Sequence, residues 1–205
     1  MTTVELFGQK FERVTAEEVK QMTMELYSMV KRSGFYPDCI VTPTRGGLFP
    51  SRYYSDYSNV HTLYIVGVEF YTDINKTVKE PRITQGLLSN VLEGKKVMVV
   101  DDVADTGKSL TTTVDYIKGM NPGEVKVGVL YLKPWSSFTP DYHVRETDVW
   151  IIFDCEQRET IENLLKQDSI RHLPPSEIRK GLEVLKFDKN VVDLVFRERN
   201  WIFSE

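Results

Sequence analysis

Val99–Leu110 reads VVDDVADTGKSL and is the most informative stretch of the chain. It ends in Gly-Lys-Ser, as the phosphate loop of a nucleotide triphosphatase does, but that loop also needs a glycine about five positions earlier. Counting back from Gly107 gives Asp102, an anion where a triphosphate chain would pass, so the triphosphatase reading fails. Just upstream, Lys96-Val97-Met98-Val99-Val100 is a short apolar run of the kind found in a buried parallel strand. Asp101 and Asp102 close that run, Thr106-Gly107 reads as a turn, and Ser109 through Lys118 can form a helix. A strand, a tight loop and a helix start gather backbone N–H groups around one point, which suits a phosphate monoester. The hydroxyls of Thr106 and Ser109 add donors. The two carboxylates do not suit a phosphate, but they suit vicinal sugar hydroxyls or Mg²⁺. The stretch therefore points to a phosphorylated sugar, its phosphate in the loop and its hydroxyls on the acids.

Apolar residues, two acids, two spacers and then Asp-Thr-Gly closely resemble the phosphoribosyl-diphosphate signature of type I phosphoribosyltransferases. The resemblance covers about Phe11 to Phe153 and implies an α/β fold, a mostly parallel sheet flanked by helices with a small hood. It also implies that Asp101, Asp102, Val103, Ala104, Asp105, Thr106, Gly107, Lys108 and Ser109 bind substrate, with Asp101 and Asp102 serving Mg²⁺.

Other segments extend the match. Thr42-Pro43-Thr44-Arg45-Gly46-Gly47-Leu48-Phe49-Pro50 follows a short apolar run, Cys39-Ile40-Val41. Paired glycines let the backbone approach a polyanion, and the guanidinium adds charge. In the family this loop binds the diphosphate leaving group, which assigns Thr44, Arg45, Gly46 and Gly47 to substrate and gives Arg45 a catalytic role. A non-proline cis peptide near Thr44–Arg45 is also implied. Arg-Gly-Gly-Leu-x-Pro resembles the branch that handles 6-oxopurines. In that branch a lysine at the Lys133 position donates to the purine O6. An aromatic ring at the Trp150 position stacks on the base, and the backbone of Ile151 reads its edge. Asp105 matches the aspartate placed near N7, where it can hold or exchange a proton as N9 attacks the sugar. Tyr71 to Arg82 resembles the family's flexible loop, with Lys76, Lys79 and Arg82 as candidates to meet diphosphate.

The chain has 205 residues and a formal net charge of −4, a length suiting one domain with an appendage or two small ones. The acidic balance gives no support for a nucleic-acid binder. No apolar run approaches a membrane span. The N-terminus MTTVELFGQKFERV lacks the features of a signal peptide. Cys39 and Cys155 are far apart and in no metal-ligand spacing, which favours a cytoplasmic, reduced protein. His61, His143 and His172 are scattered and form no metal motif.

Thr15 and Glu18 form a candidate capping box for a helix running to about Arg32, with Val19, Met22, Leu26, Met29 and Val30 on one face. Strands are expected at 39–41, 63–71, 97–100, 125–132 and 149–153, and a long loop at 72–85. Such alternation argues for a mostly parallel sheet with ligands at the carboxyl ends of its strands. The expected organisation is residues 1–155 as core and hood, and 156–205 as a helical C-terminal appendage. Its helices are expected at Glu159–Gln167, at Ser176–Leu185 with Ser176 as N-cap, and at Asn190–Arg199.

Two features depart from the 6-oxopurine branch. Where its archaeal members continue Trp-Ile-Val-Phe with Pro-Trp-Glu and stop, this chain has Asp154-Cys155-Glu156 and then the appendage. That arrangement resembles archaeal adenine phosphoribosyltransferases derived from the same branch. The implied reaction joins a purine base to 5-phosphoribosyl 1-diphosphate, releasing diphosphate and a nucleoside monophosphate. The tail leans toward adenine, while Lys133 and Asp105 pull toward a 6-oxopurine. A phosphoribosyl-diphosphate-binding transcription regulator and an orotate enzyme are the remaining alternatives. The expected partners are small-molecule substrates, with neither nucleic acid nor membrane. The family implies a homo-oligomer, at least a dimer.

Overall fold

The structure is a computed structural model and describes residues 3–71 and 80–199. The chain opens with a hairpin of β1 (Thr3–Leu6) and β2 (Gln9–Val14). Its two turn residues, Phe7 and Gly8, both have positive φ, as a tight hairpin turn requires. Helix α1 (Ala16–Arg32) follows. The Thr15 N–H and hydroxyl both donate to Glu18, at 2.8 and 2.9 Å, and Glu18 N–H donates back to the Thr15 hydroxyl at 3.2 Å, the expected capping box. Val19, Met22, Leu26 and Val30 are buried along one face, and Gly34 leaves the helix at φ +80.

Next come β3 (Cys39–Thr44), α2 (Leu48–Ser58), β4 (Leu63–Tyr71), β5 (Glu80–Gln85), β6 (Lys96–Ala104), α3 (Lys108–Lys118), β7 (Glu124–Leu132), β8 (Tyr142–Glu146) and β9 (Trp150–Phe153). A short 3₁₀ turn at Asp154–Glu156 leads to α4 (Gln157–Leu164), α5 (Asp168–Arg171), α6 (Pro175–Val184) and α7 (Lys189–Glu198).

The chain forms two compact units. One comprises residues 19–148. Its six-stranded sheet has the order β5-β4-β3-β6-β7-β8, parallel throughout except for the edge strand β5. Val97 to Val100 are buried on both faces of the central strand, the reason that run carries no polar residue. Strand order reverses between β3 and β6, so the loops after these two strands lie side by side at a topological switch point.

The other unit comprises residues 1–18 and 149–205. Here β9 pairs in parallel with β2. Phe11 and Ile152 from the sheet share one apolar cluster with Ile161, Ile178, Val195 and Phe196 from the helices.

Several expectations are corrected. The 149–153 strand lies in this three-stranded sheet, and β8 takes the edge of the main sheet in its place. Residues 80–85 form a strand against β4 and are not loop, because Val68 and Phe70 give them a partner in register. Lys76 and Lys79 lie outside the described residues. The first turn of α6 begins at Pro175, with Pro174 and not Ser176 as its cap, since proline suits the first helical position. The compact units group residues 1–18 with 149–205, so the N-terminal hairpin and β9 share a core with the appendage helices.

In α7, Phe196 is buried while Leu194 is 44% exposed. Phe196→Ala should therefore lower stability by about 3–5 kcal/mol, and Leu194→Ala by about 1 kcal/mol or less. Denaturant unfolding of both variants checks this; equal losses would contradict the packing described.

Candidate functional site

The site is built where β3 and β6 end. Their parallel register, Cys39 with Val97 and Val41 with Val99, brings the Thr44–Gly47 loop beside Asp101–Gly107. The Thr44–Arg45 peptide bond is cis, as the resemblance implied. Arg45 is exposed, and Gly47 is buried. The two glycines are required by contact. A Cβ on Gly46 would fall 2.6 Å from Asp102 Cγ, and one on Gly47 would fall 2.6 Å from the Val100 carbonyl oxygen. Ser51 ties α2 to the same carbonyl through its hydroxyl at 3.3 Å.

Asp101 is buried and Asp102 half-buried. Each uses Oδ1 on the backbone: Asp102 N–H donates to Asp101 at 3.0 Å, and Val103 N–H to Asp102 at 2.6 Å. Desolvation beneath the Gly46 backbone pushes the Asp102 carboxyl up to about 6, outweighing the lowering effect of the Val103 N–H. Among the described residues no group of three metal-ligating side chains occurs. Two adjacent carboxylates are a donor set for a hard cation that shares its shell with a bound substrate.

Both loops run into helix starts. Gly47 precedes α2 and Gly107 precedes α3, and no side chain caps either first turn. Uncapped first turns present N–H groups, and the helix dipole favours an anion there; in α2 the Leu48 N–H already donates to the Arg45 carbonyl at 3.1 Å and Pro50 has none, so α3 offers the better anion site. Gly107 has φ +82, and a Cβ there would fall 2.5 Å from the Phe138 backbone nitrogen, so the position admits only glycine. Thr106 is exposed, and Ser109 and Lys108 are half-buried. Lys108 directs its ammonium to Glu80 on β5, 3.1 Å away.

Lys133 ends the next strand over. Ala104 pairs with Leu132 across β6 and β7, and Lys133 N–H donates to the Ala104 carbonyl at 3.0 Å. This carries the Lys133 chain to the Asp105 loop. Asp105 is exposed and accepts the indole N–H of Trp135 at 2.8 Å. The sequence reading gave Trp135 no role; its only signal was its place two residues after Lys133. Thr44 to Gly47, Asp101 to Ser109 and Lys133 thus belong to one unit. Trp150 and Ile151 belong to the other, on β9, with Trp150 exposed and Ile151 buried. Arg82 is exposed on β5. Asp154, expected beside a base edge, accepts the Arg13 guanidinium through Oδ1 at 2.8 and 3.0 Å and the Ala16 N–H through Oδ2 at 3.3 Å.

Residues 12–159 match the family described as phosphoribosyl transferase domain. A solved purine phosphoribosyltransferase from Pyrococcus horikoshii is 34% identical, with a TM-score of 0.64 over 70% of this chain and 92% of that one. The Helicobacter pylori xanthine-guanine-hypoxanthine phosphoribosyltransferase shares the fold at 19% identity and a TM-score of 0.63, over 77% of this chain and 99% of that one. The hypoxanthine-guanine phosphoribosyltransferase of Pan troglodytes is 31% identical over 91 residues, 43% of this chain and 41% of that protein. The chain thus spans less than half the length of that curated relative.

The raised Asp102 pKa has a consequence for stability. Its carboxyl titrates near 3.8 when unfolded and near 6 when folded. Ionising it therefore costs stability that is intact below the lower value and lost as pH rises through the higher one. In the ligand-free protein, Asp102→Asn should add about 2–3 kcal/mol at about pH 8. The gain should shrink steadily as pH falls below about 6. Denaturant melts across this range check it, and a gain that does not depend on pH would contradict the assignment.

Proposed function

The chain belongs to the phosphoribosyl transferase domain family, and on that premise we propose that it is a purine phosphoribosyltransferase, a pentosyl-transferring enzyme of base salvage. The observations that carry this reading are the uncapped start of α3 after Gly107 and the Arg45-Gly46-Gly47 loop packed against Asp102, one of two adjacent carboxylates. A sugar bearing a 5-phosphate and a 1-diphosphate has two anionic ends with hydroxyls between them. Here the Gly107 start and the Thr106 and Ser109 hydroxyls take the 5-phosphate. The Thr44–Gly47 loop and Arg45 take the diphosphate, and Asp101 and Asp102 face the sugar hydroxyls.

The same two carboxylates would hold Mg²⁺, which when bound neutralises diphosphate charge. Transfer breaks the C1–diphosphate bond and forms a bond from C1 to the base nitrogen, while Asp105 accepts or relays the proton the base gives up. Arg45 stabilises the charge developing on the leaving diphosphate. The rest of the acceleration comes from orientation.

The base is proposed to be a 6-oxopurine. Lys133 is a donor only, and it suits an acceptor at position 6. The lean toward adenine rested on the Asp154-Cys155-Glu156 ending and the appendage. Asp154 is engaged with Arg13 and the start of α1, which weakens the part of that lean resting on Asp154. Arginines of the appendage pair with its own acids, Arg158 with Glu198, Arg179 with Asp193 and Arg199 with Glu162, which gives a DNA-reading role no support.

The test is diphosphate release and nucleotide formation with phosphoribosyl diphosphate, Mg²⁺ and adenine, hypoxanthine, guanine or xanthine in turn. Turnover should favour an oxo base over adenine by about tenfold or more, and Lys133→Ala should erase most of that margin. Turnover with none of the four bases contradicts the enzyme reading. An adenine preference that persists in Lys133→Ala restores the adenine alternative.

A further inference from the structure

The approach to α3 is fastened to the loop that follows β7. Ser137 donates its N–H and its hydroxyl to the Thr106 carbonyl, at 3.1 and 2.7 Å. The same loop lies close against the next residue. A Cβ on Gly107 would fall 2.5 Å from the Phe138 backbone nitrogen and 3.0 Å from Ser136 Oγ. The Gly107 carbonyl in turn accepts the Thr111 N–H at 2.9 Å and the Thr111 hydroxyl at 3.1 Å. The Thr106–Gly107 peptide is trans, and in a planar trans peptide the carbonyl and the N–H point in opposite directions. With the Thr106 carbonyl held at Ser137, the Gly107 N–H is turned away from the loop after β7.

We propose that Ser137 is a positioning residue of the phosphate loop, its two hydrogen bonds setting the Thr106–Gly107 peptide so that the Gly107 N–H, and not the Thr106 carbonyl, faces the 5-phosphate. The inference rests on the purine phosphoribosyltransferase reading above. The need for such a hold comes from glycine itself. Turning this peptide over would carry Gly107 from φ +82 to a negative φ, which glycine adopts about as readily. The turned peptide would offer the anion an oxygen in place of a donor, replacing attraction with repulsion. Ser137 opposes that turn, because it would break both of its hydrogen bonds at once. Ser137 is exposed and stands outside the Asp101–Ser109 segment, so it acts on the phosphate through the orientation of that peptide.

The experiment is calorimetric binding of ribose 5-phosphate, with steady-state kinetics, on the full-length native protein, Ser137→Ala and Ser137→Thr. Ser137→Ala removes the hydroxyl bond and keeps the N–H bond. It should weaken ribose 5-phosphate binding and raise the KM for phosphoribosyl diphosphate, each by about two- to tenfold. The kcat, the KM for the purine and the melting temperature should stay essentially native, a split that general loosening of the fold would not give. Ser137→Thr restores a hydroxyl at an exposed position and should return both constants to within about twofold of native. In ligand-free Ser137→Ala the Gly107 amide resonance should broaden as the peptide samples both orientations, and it should sharpen on saturation with ribose 5-phosphate. Native affinity in Ser137→Ala, or weakened affinity with a Gly107 amide as sharp as in the native protein, would overturn the role of Ser137 while leaving the enzyme reading in place. A native protein that binds no ribose 5-phosphate would overturn the phosphate loop itself and this inference with it.

Discussion

One close approach governs the site, that of the Gly46–Gly47 backbone to the end of β6. There is no room for a Cβ at either glycine, because Asp102 and the Val100 carbonyl already fill the space. The parallel pairing of β3 and β6 at the point where strand order reverses is what makes the two loops neighbours. The Gly46–Gly47 loop thereby leads into α2 directly beside Asp102, and the Asp101–Gly107 loop leads into the uncapped start of α3. The same closeness sets the electrostatics, since the backbone that covers Asp102 also strips its solvent and raises its pKa. A site prepared in this way holds carboxylates whose desolvation a bound cation or sugar would relieve.

Much of this was legible in the sequence because the central strand is buried on both faces. Val97–Val100 could only be apolar, but the strand does not end at the acids as expected: it continues through Asp101 and Asp102 to a buried Ala104. The capping box of α1 and the turn at Thr106-Gly107 were equally readable, since both depend on local chemistry. What local patterning could not convey was sheet membership. Trp150–Phe153 is an apolar run that reads the same in either sheet, and only its pairing with β2 distinguishes them. Strand β8, YHVRE, is half-buried and carries no apolar run to announce it. The β1–β2 hairpin turns on Phe7-Gly8, outside the usual Asn-Gly and Asp-Gly signals. Helix α2 was hidden because LFPSRYYSDYS has a proline near its start and few buried positions.

Long-range polar contacts were the least legible part of the site. Trp135 and Asp105 are thirty residues apart, and nothing in Lys133-Pro134-Trp135-Ser136 names a carboxylate as the indole's partner. Asp154 misled for the same reason. Its position after β9 suggested a base-reading role, but it anchors Arg13 and the first turn of α1. The appendage likewise contributes to a core that begins at the N-terminus, where Phe11 packs with Ile152 and Phe196.

The central claim is that the loop from Asp105 to Ser109 is a phosphate site at the start of α3. A backbone-amide NMR titration with ribose 5-phosphate addresses it without requiring turnover. Saturable shifts should concentrate at the amides of Thr106, Gly107, Lys108 and Ser109, with the amides of α4 to α7 unmoved. Saturable binding that leaves those four amides unshifted would contradict the account.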